Sequence, residues 1–240
     1  MHTVRLLWRD RFPLGPRRGR PSRVNLDDVV TAGIAVADRV GSGFGLREVA
    51  QAAGLPVMTL YSTVSGRDQL LELMVDRCRA TMAVTVREGD WRRQLRQVAS
   101  ENRALLQAHP WLADLESERA ILGPGTLAKY ERELAAVEPL NLSDVEKDAA
   151  LTLVLDFVRT NERTTRRIAA ERADESAADW WSREGAALAA LDIAGEFPLA
   201  DRIGTSAGER YGAAHDPDNA YEFGLDVILD GLAARSARAH

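Results

Sequence analysis

The 240-residue sequence predicts an all-α chain: an N-terminal three-helix helix-turn-helix DNA-binding domain followed by a larger C-terminal helical domain. Three observations carry this. The stretch Leu46–Val64, LREVAQAAGLPVMTLYSTV, reads as two short helices about a tight turn. The remainder reads as successive amphipathic helices, with no strand alternation of any length. Positive charge gathers at the end that holds the turn, as phosphate contacts require. The expected organisation is a basic, mostly disordered arm over 1–24, the DNA-binding domain over 25–82, and a larger helical domain over 83–240.

In the first half of that stretch Val49, Ala50 and Ala53 recur at helical spacing. Gly54 follows, where glycine accepts the left-handed conformation that stops a helix. Pro56 suits the opening of the second helix, whose Leu60 and Val64 repeat at i and i+4. In a helix-turn-helix the second helix enters the major groove by its N-terminal end. Periodicity alone leaves an ordinary αα-hairpin open.

Composition sets the frame. Apolar residues at 45% and charged residues at 28% suit a packed globular protein of 26.3 kDa. No apolar run approaches the roughly 18 residues that span a bilayer, and no apolar segment follows the N-terminal arginines as a secretory signal would require. The single cysteine, Cys78, leaves no intrachain disulfide and reads as a small core residue; a cytoplasmic protein is expected. Net charge is −5, yet residues 1–82 carry 12 Lys+Arg against 8 Asp+Glu, and the remainder 19 against 28.

Within the arm, RRGRPSR resembles the AT-hook core Arg-Gly-Arg-Pro, whose arginines lie in a narrow A·T-rich minor groove. A solvated basic tail of non-specific affinity explains it equally well. Either way Arg17, Arg18, Arg20 and Arg23 are DNA-contact candidates. Asn25 is placed to cap the next helix, with Asp28 three residues on, and Val29, Val30, Gly33, Ile34, Ala37 and Val40 form its buried stripe.

Residues 25–76 resemble the DNA-binding domain of the tetracycline-repressor (TetR) family, most specifically in LYSTVSGRDQLLELMVD. The resemblance implies an all-helical homodimer whose C-terminal domain, over 83–240, serves effector binding and dimerisation. It supports Arg47 as a phosphate contact and implies that Tyr61 is the family's phosphate-contacting tyrosine. Val57, Met58 and Thr59 stand at the end of the recognition helix that meets base edges, while Ser62, Thr63 and Arg67 suit backbone contacts. Pro56 stands where the family usually has a capping Ser or Thr. Ser62 and Thr63 stand where it usually has larger residues, so the operator sequence does not follow from the resemblance.

Beyond residue 82, helices are expected over about 91–108, 125–137, 144–170, 173–193 and 217–236, with EFPLADRIGTSAGERYGAAHDPDN a long loop containing a short helix. AHPWLADL, ILGPGTLAKYERELAAV and YEFGLDVILDGLAA resemble the tetracycline-repressor C-terminal-like domains. That resemblance implies a four-helix bundle between two subunits, with Leu153, Val154, Phe223, Leu225, Ile228, Leu229 and Leu232 as interface candidates. For an apolar or amphipathic effector the candidates are Trp111, Phe157, Asn161, Trp180 and Trp181, with Asp156, Arg159 or Arg119 as polar anchors.

No chemistry for catalysis is visible. The four histidines, at 2, 109, 215 and 240, include no i, i+4 pair for zinc, and there is neither a phosphate-binding glycine loop nor a nucleophile elbow. No enzyme, cofactor or metal is expected. The partners are operator DNA, a second subunit and a small effector, without a membrane. The competing reading is an effector-independent architectural DNA-binding protein that uses only the arm and the helix-turn-helix.

Overall fold

The computed structural model describes residues 2–12, 25–115, 119–191 and 194–238. The described residues form α-helices joined by turns and two short 3-10 helices, with no strand among them. In chain order they are α1 (Thr3–Leu7), α2 (Leu26–Val40), α3 (Leu46–Ala52), α4 (Val57–Thr63), α5 (Arg67–Thr81) and α6 (Trp91–Ala108). A 3-10 helix over Pro110–Asp114 leads to α7 (Pro124–Val137), α8 (Asp144–Asp174), α9 (Ala177–Ala189), α10 (Pro198–Tyr211) and α11 (Pro217–Arg238). No described helix is long and apolar enough to cross a membrane.

Local signals fix the boundaries. The Asn25 side-chain Oδ1 accepts the N–H of Asp27 and caps α2, so the cap closes on its second residue rather than reciprocally with Asp28. Gly54 takes φ +65°, turning the chain between α3 and α4. Glu146 reaches back to the N–H of Ser143 at 3.0 Å and starts the 31-residue α8.

Two regions differ from expectation. Residues 3–7 are helical, and Leu6 and Leu7 are buried in one apolar cluster with residues of α2, α3, α4 and α5. The pair was hidden because two apolar residues beside a run of Arg, Pro and Gly give no period to read. The long loop expected before residue 217 instead contains the 14-residue α10, opened by Pro198 and closed by Gly212 at φ +61°. Gly204 and Gly208 dilute its helical signal.

Two apolar clusters hold the chain. The first joins α1 to α5 and also takes Leu105, Trp111 and Leu112 from beyond residue 82. The second is built from α6, α7, α8 and α11 around Leu95, Leu151, Val154 and Leu229. Cys78 is buried in the first, and burial pushes its thiol up to about 12, so it is inert packing.

Candidate nucleic-acid interface and effector domain

The helix-turn-helix is held from below. Leu60 points α4 into the first cluster and is fully buried, and half-buried Val57 packs on its edge. This leaves Met58 (78% exposed) and Tyr61 (52%) on the outer face, and Arg47 exposed on the first turn of α3. Thr59 is half-buried. Its carbonyl accepts hydrogen bonds from both Ser62 Oγ (2.7 Å) and Thr63 Oγ1 (3.0 Å). Those two hydroxyls, expected to face the DNA backbone, are committed as donors to their own helix, as short hydroxyl side chains often are.

Arg67 departs from its expected role. Its Nε donates to the Phe44 carbonyl at 3.1 Å, a terminal nitrogen donates to the Ser42 carbonyl, and the guanidinium lies 4.7 Å over the Phe44 ring. It braces the glycine-rich turn between α2 and α3 rather than reaching outward, because that turn presents uncapped carbonyls to it. Arg17, Arg18, Arg20 and Arg23 lie outside the described residues.

The joint between the domains involves residues the sequence reading did not select. Asp76, buried on α5, accepts the N–H groups of Gly125 and Thr126 and so caps α7. A Cβ at Gly123 would lie 2.2 Å from the Asp76 carboxylate, and one at Gly125 would lie 2.2 Å from the Asp76 carbonyl. Both glycines are therefore required by close approach. Deeper in α7, Lys129 meets Glu133 at 2.6 Å, and Asn102 of α6 donates to the same carboxylate. Asp38 at the end of α2 accepts from Trp111 Nε1 at 2.7 Å and pairs with His109 Nδ1. The visible signal was Gly-Pro-Gly at 123–125, and nothing local tied it to Asp76.

Among the effector candidates, Trp111 is corrected: it is fully buried in the first cluster and its indole is engaged by Asp38, so it joins the domains instead of lining a pocket. Asp156 and Arg159 pair with each other at 2.9 Å on the outside of α8, and Arg119 is exposed. Phe157 stacks on Tyr221 with ring centroids 5.8 Å apart, against Gly224 of α11. Asn161 donates to the Pro217 carbonyl; its Oδ1 is buried and has no protein donor among the described residues. Trp181 packs over Gly208 of α10. Trp180 is partly exposed and lines a cleft of about 430 Å³ with Ile168, Glu171, Glu175, Ala213 and His215. The eight candidates thus do not converge on one cavity.

The interface candidates also divide. Val154, Leu225, Leu229 and Leu232 are buried in the second cluster, within one subunit, because positions 221, 225, 229 and 232 of α11 share the face turned to the bundle. Ile228 is half-buried beside them. Leu153 (50% exposed) and Phe223 (70%) face outward with Val227.

Residues 85–236 match the profile of the Tetracyclin repressor-like, C-terminal domain. The chain belongs to the tetracycline-repressor family. The HTH-type transcriptional repressor DrrR1 of Streptomyces coeruleorubidus is 32% identical over 235 residues, covering 96% of this chain and 84% of that protein. Apo ActR of Streptomyces coelicolor shares the fold, with a TM-score of 0.73 at 24% identity over 92% of this chain and all of that one. ActR in complex with actinorhodin gives 0.72 at 26% identity, over 90% and 99% of the two chains. Like its TetR-family relatives, the chain is a helix-turn-helix transcriptional regulator.

Proposed function

We propose that this regulator is a cytoplasmic repressor that binds a palindromic operator as a homodimer and leaves it when an apolar or amphipathic small molecule binds. The observation that carries the reading is the pairing of an exposed α4 face, with Met58 and Tyr61, to a large helical domain through the buried Asp76–α7 contact. An architectural protein has no need of such a joint. The family of relatives named as repressors and the ActR–actinorhodin complex support a ligand-responsive role.

Arg47 and Tyr61 serve as backbone contacts, and Met58 with Thr59 as base contacts. The outward apolar residues Leu153, Phe223 and Val227 suit a self-complementary contact about a two-fold axis. Two recognition helices about 34–36 Å apart would then meet successive major grooves. For the effector, the cleft beside Trp180 offers Ile168, Ala177 and Ala213 as apolar wall and Glu171, Arg172, Glu175 and His215 as polar groups, so an amphipathic molecule suits it best. Effector binding lowers operator affinity only by favouring one of two joint arrangements.

Selection of bound duplexes from a random pool, followed by salt titration of the winner, tests this. A palindromic winner preferred about a thousandfold over scrambled DNA is expected. Enrichment of A·T-rich DNA without half-site symmetry would overturn it and favour the architectural reading.

A further inference from the structure

The helix α1 precedes the helix-turn-helix domain and lies outside the matched C-terminal region, yet it touches both parts of the protein. Leu6 and Leu7, each 4% exposed, seat it in the first apolar cluster. Gln69 of α5 donates to Thr3 Oγ1 at 3.3 Å, and Arg9 reaches Asp27 at the start of α2, where Arg77 of α5 also pairs. From the far end of α1 the half-buried Trp8 donates its indole N–H to the carbonyl of Leu122, at 2.8 Å and 114 residues away. Leu122 lies just before the Gly125 and Thr126 amides that Asp76 holds. Two clamps therefore grip one short stretch, 122–126, from two sides: Trp8 from α1 and Asp76 from α5.

We infer that α1 is a strap across the domain joint and that Trp8 is a positioning residue for operator binding. Any swing of α2–α5 relative to α7 must stretch the indole–carbonyl bond or drag Leu6 and Leu7 from the core. The strap therefore narrows the orientations open to α4 before DNA arrives, and pre-organisation of this kind raises affinity without adding a contact to the ligand. Trp8 need touch neither phosphate nor base. This rests on the helix-turn-helix being the DNA-reading element.

The test uses the full chain with Trp8→Phe, which keeps a ring but removes the donor, and Trp8→Ala. Hydrogen exchange is followed at the amides of 122–127 other than Pro124, which has none, and, as an internal reference, at Ala136 and Val137. Binding is measured to the selected duplex and to one with half-sites a single base pair further apart. Faster exchange at 122–127 by roughly fivefold or more, with the reference unchanged, is expected in Trp8→Phe, together with weaker binding, an unchanged salt slope and blunted spacing discrimination. Unchanged exchange and unchanged spacing discrimination in both variants would overturn the inference. So would faster exchange with unaltered binding, since α1 would then brace the joint without positioning α4. If the wild-type protein selects no duplex, the DNA reading fails separately, and unchanged exchange at 122–127 still refutes the strap.

Discussion

The Asp76 carboxylate of α5 lies 2.7 Å from the backbone N–H of Thr126 on α7, so the last helix of the DNA-binding domain caps a helix of the C-terminal domain. A buried carboxylate on two orphan helix amides is a strong, charge-assisted arrangement. Asp76→Ala leaves both N–H groups without an acceptor and should destabilise the protein by about 1–3 kcal/mol, with Asp76→Asn between the two. Urea unfolding of the three proteins measures this, and an Ala variant as stable as the parent would remove Asp76 from the joint.

Gly125→Ala should lower the melting temperature, since the new Cβ meets backbone rather than a yielding side chain; overpacking of this kind costs about 1–3 kcal/mol. Gly204→Ala, in α10 with nothing within 4 Å, is the matched control and should gain about 0.5–1 kcal/mol. Calorimetry on both decides whether close approach or helix propensity governs each glycine.

Arg47→Ala and Arg67→Ala should weaken operator binding for different reasons. Loss of Arg47, exposed on α3, should reduce the salt slope by about one and act alike on all sequences. Loss of Arg67 unbraces the turn at Ser42 and Phe44 and should leave the slope unaltered. A slope that drops in Arg67→Ala would return that residue to the phosphate.

Met58→Ala should instead change which duplexes are selected, because Met58 is the most exposed apolar residue of α4 and apolar contact reads the thymine methyl. A repeated selection from the random pool checks it. An identical consensus would remove Met58 from base recognition.

Acid should release the strap. Burial raises the Asp27 carboxyl, but the Arg9 and Arg77 charges outweigh it and hold it below its ordinary value of 3.8. A depressed carboxyl stabilises the fold fully above that ordinary value and loses its contribution as pH falls through the lowered one. The Trp8 indole resonance in a nitrogen–proton spectrum should therefore move only as the pH falls below that ordinary value of 3.8, and should lose that step in Asp27→Asn. An identical titration in the variant would place the acid transition elsewhere.

What could be read in advance followed periodicity and local turn chemistry. The α3–α4 hairpin, α6 and α11 were legible because Gly54, Pro56 and the apolar stripes are near-neighbour signals. Arg67 was misjudged because its partners are main-chain carbonyls 23 and 25 residues away, which carry no side-chain signature. Trp111 and Asp38 meet across 73 residues, and Asp76 and Gly125 across 49. An aromatic in a helical domain looks the same in sequence whether it faces a ligand or a neighbouring carboxylate. The broad apolar circumference of α11 fits either a deep core or an interface, and only packing shows that Leu225 turns inward and Phe223 outward.

The first apolar cluster, which draws Leu105, Trp111 and Leu112 into company with α1–α5, has a consequence for engineering. Chimeric regulators are made by grafting one protein's DNA reader onto another's sensor. A cut at residue 82 would sever that cluster and leave Trp111 facing a foreign surface. A graft that carries residues 2–12 with the reader and keeps the 105–126 segment matched to it should yield working hybrids where the simpler cut yields insoluble ones.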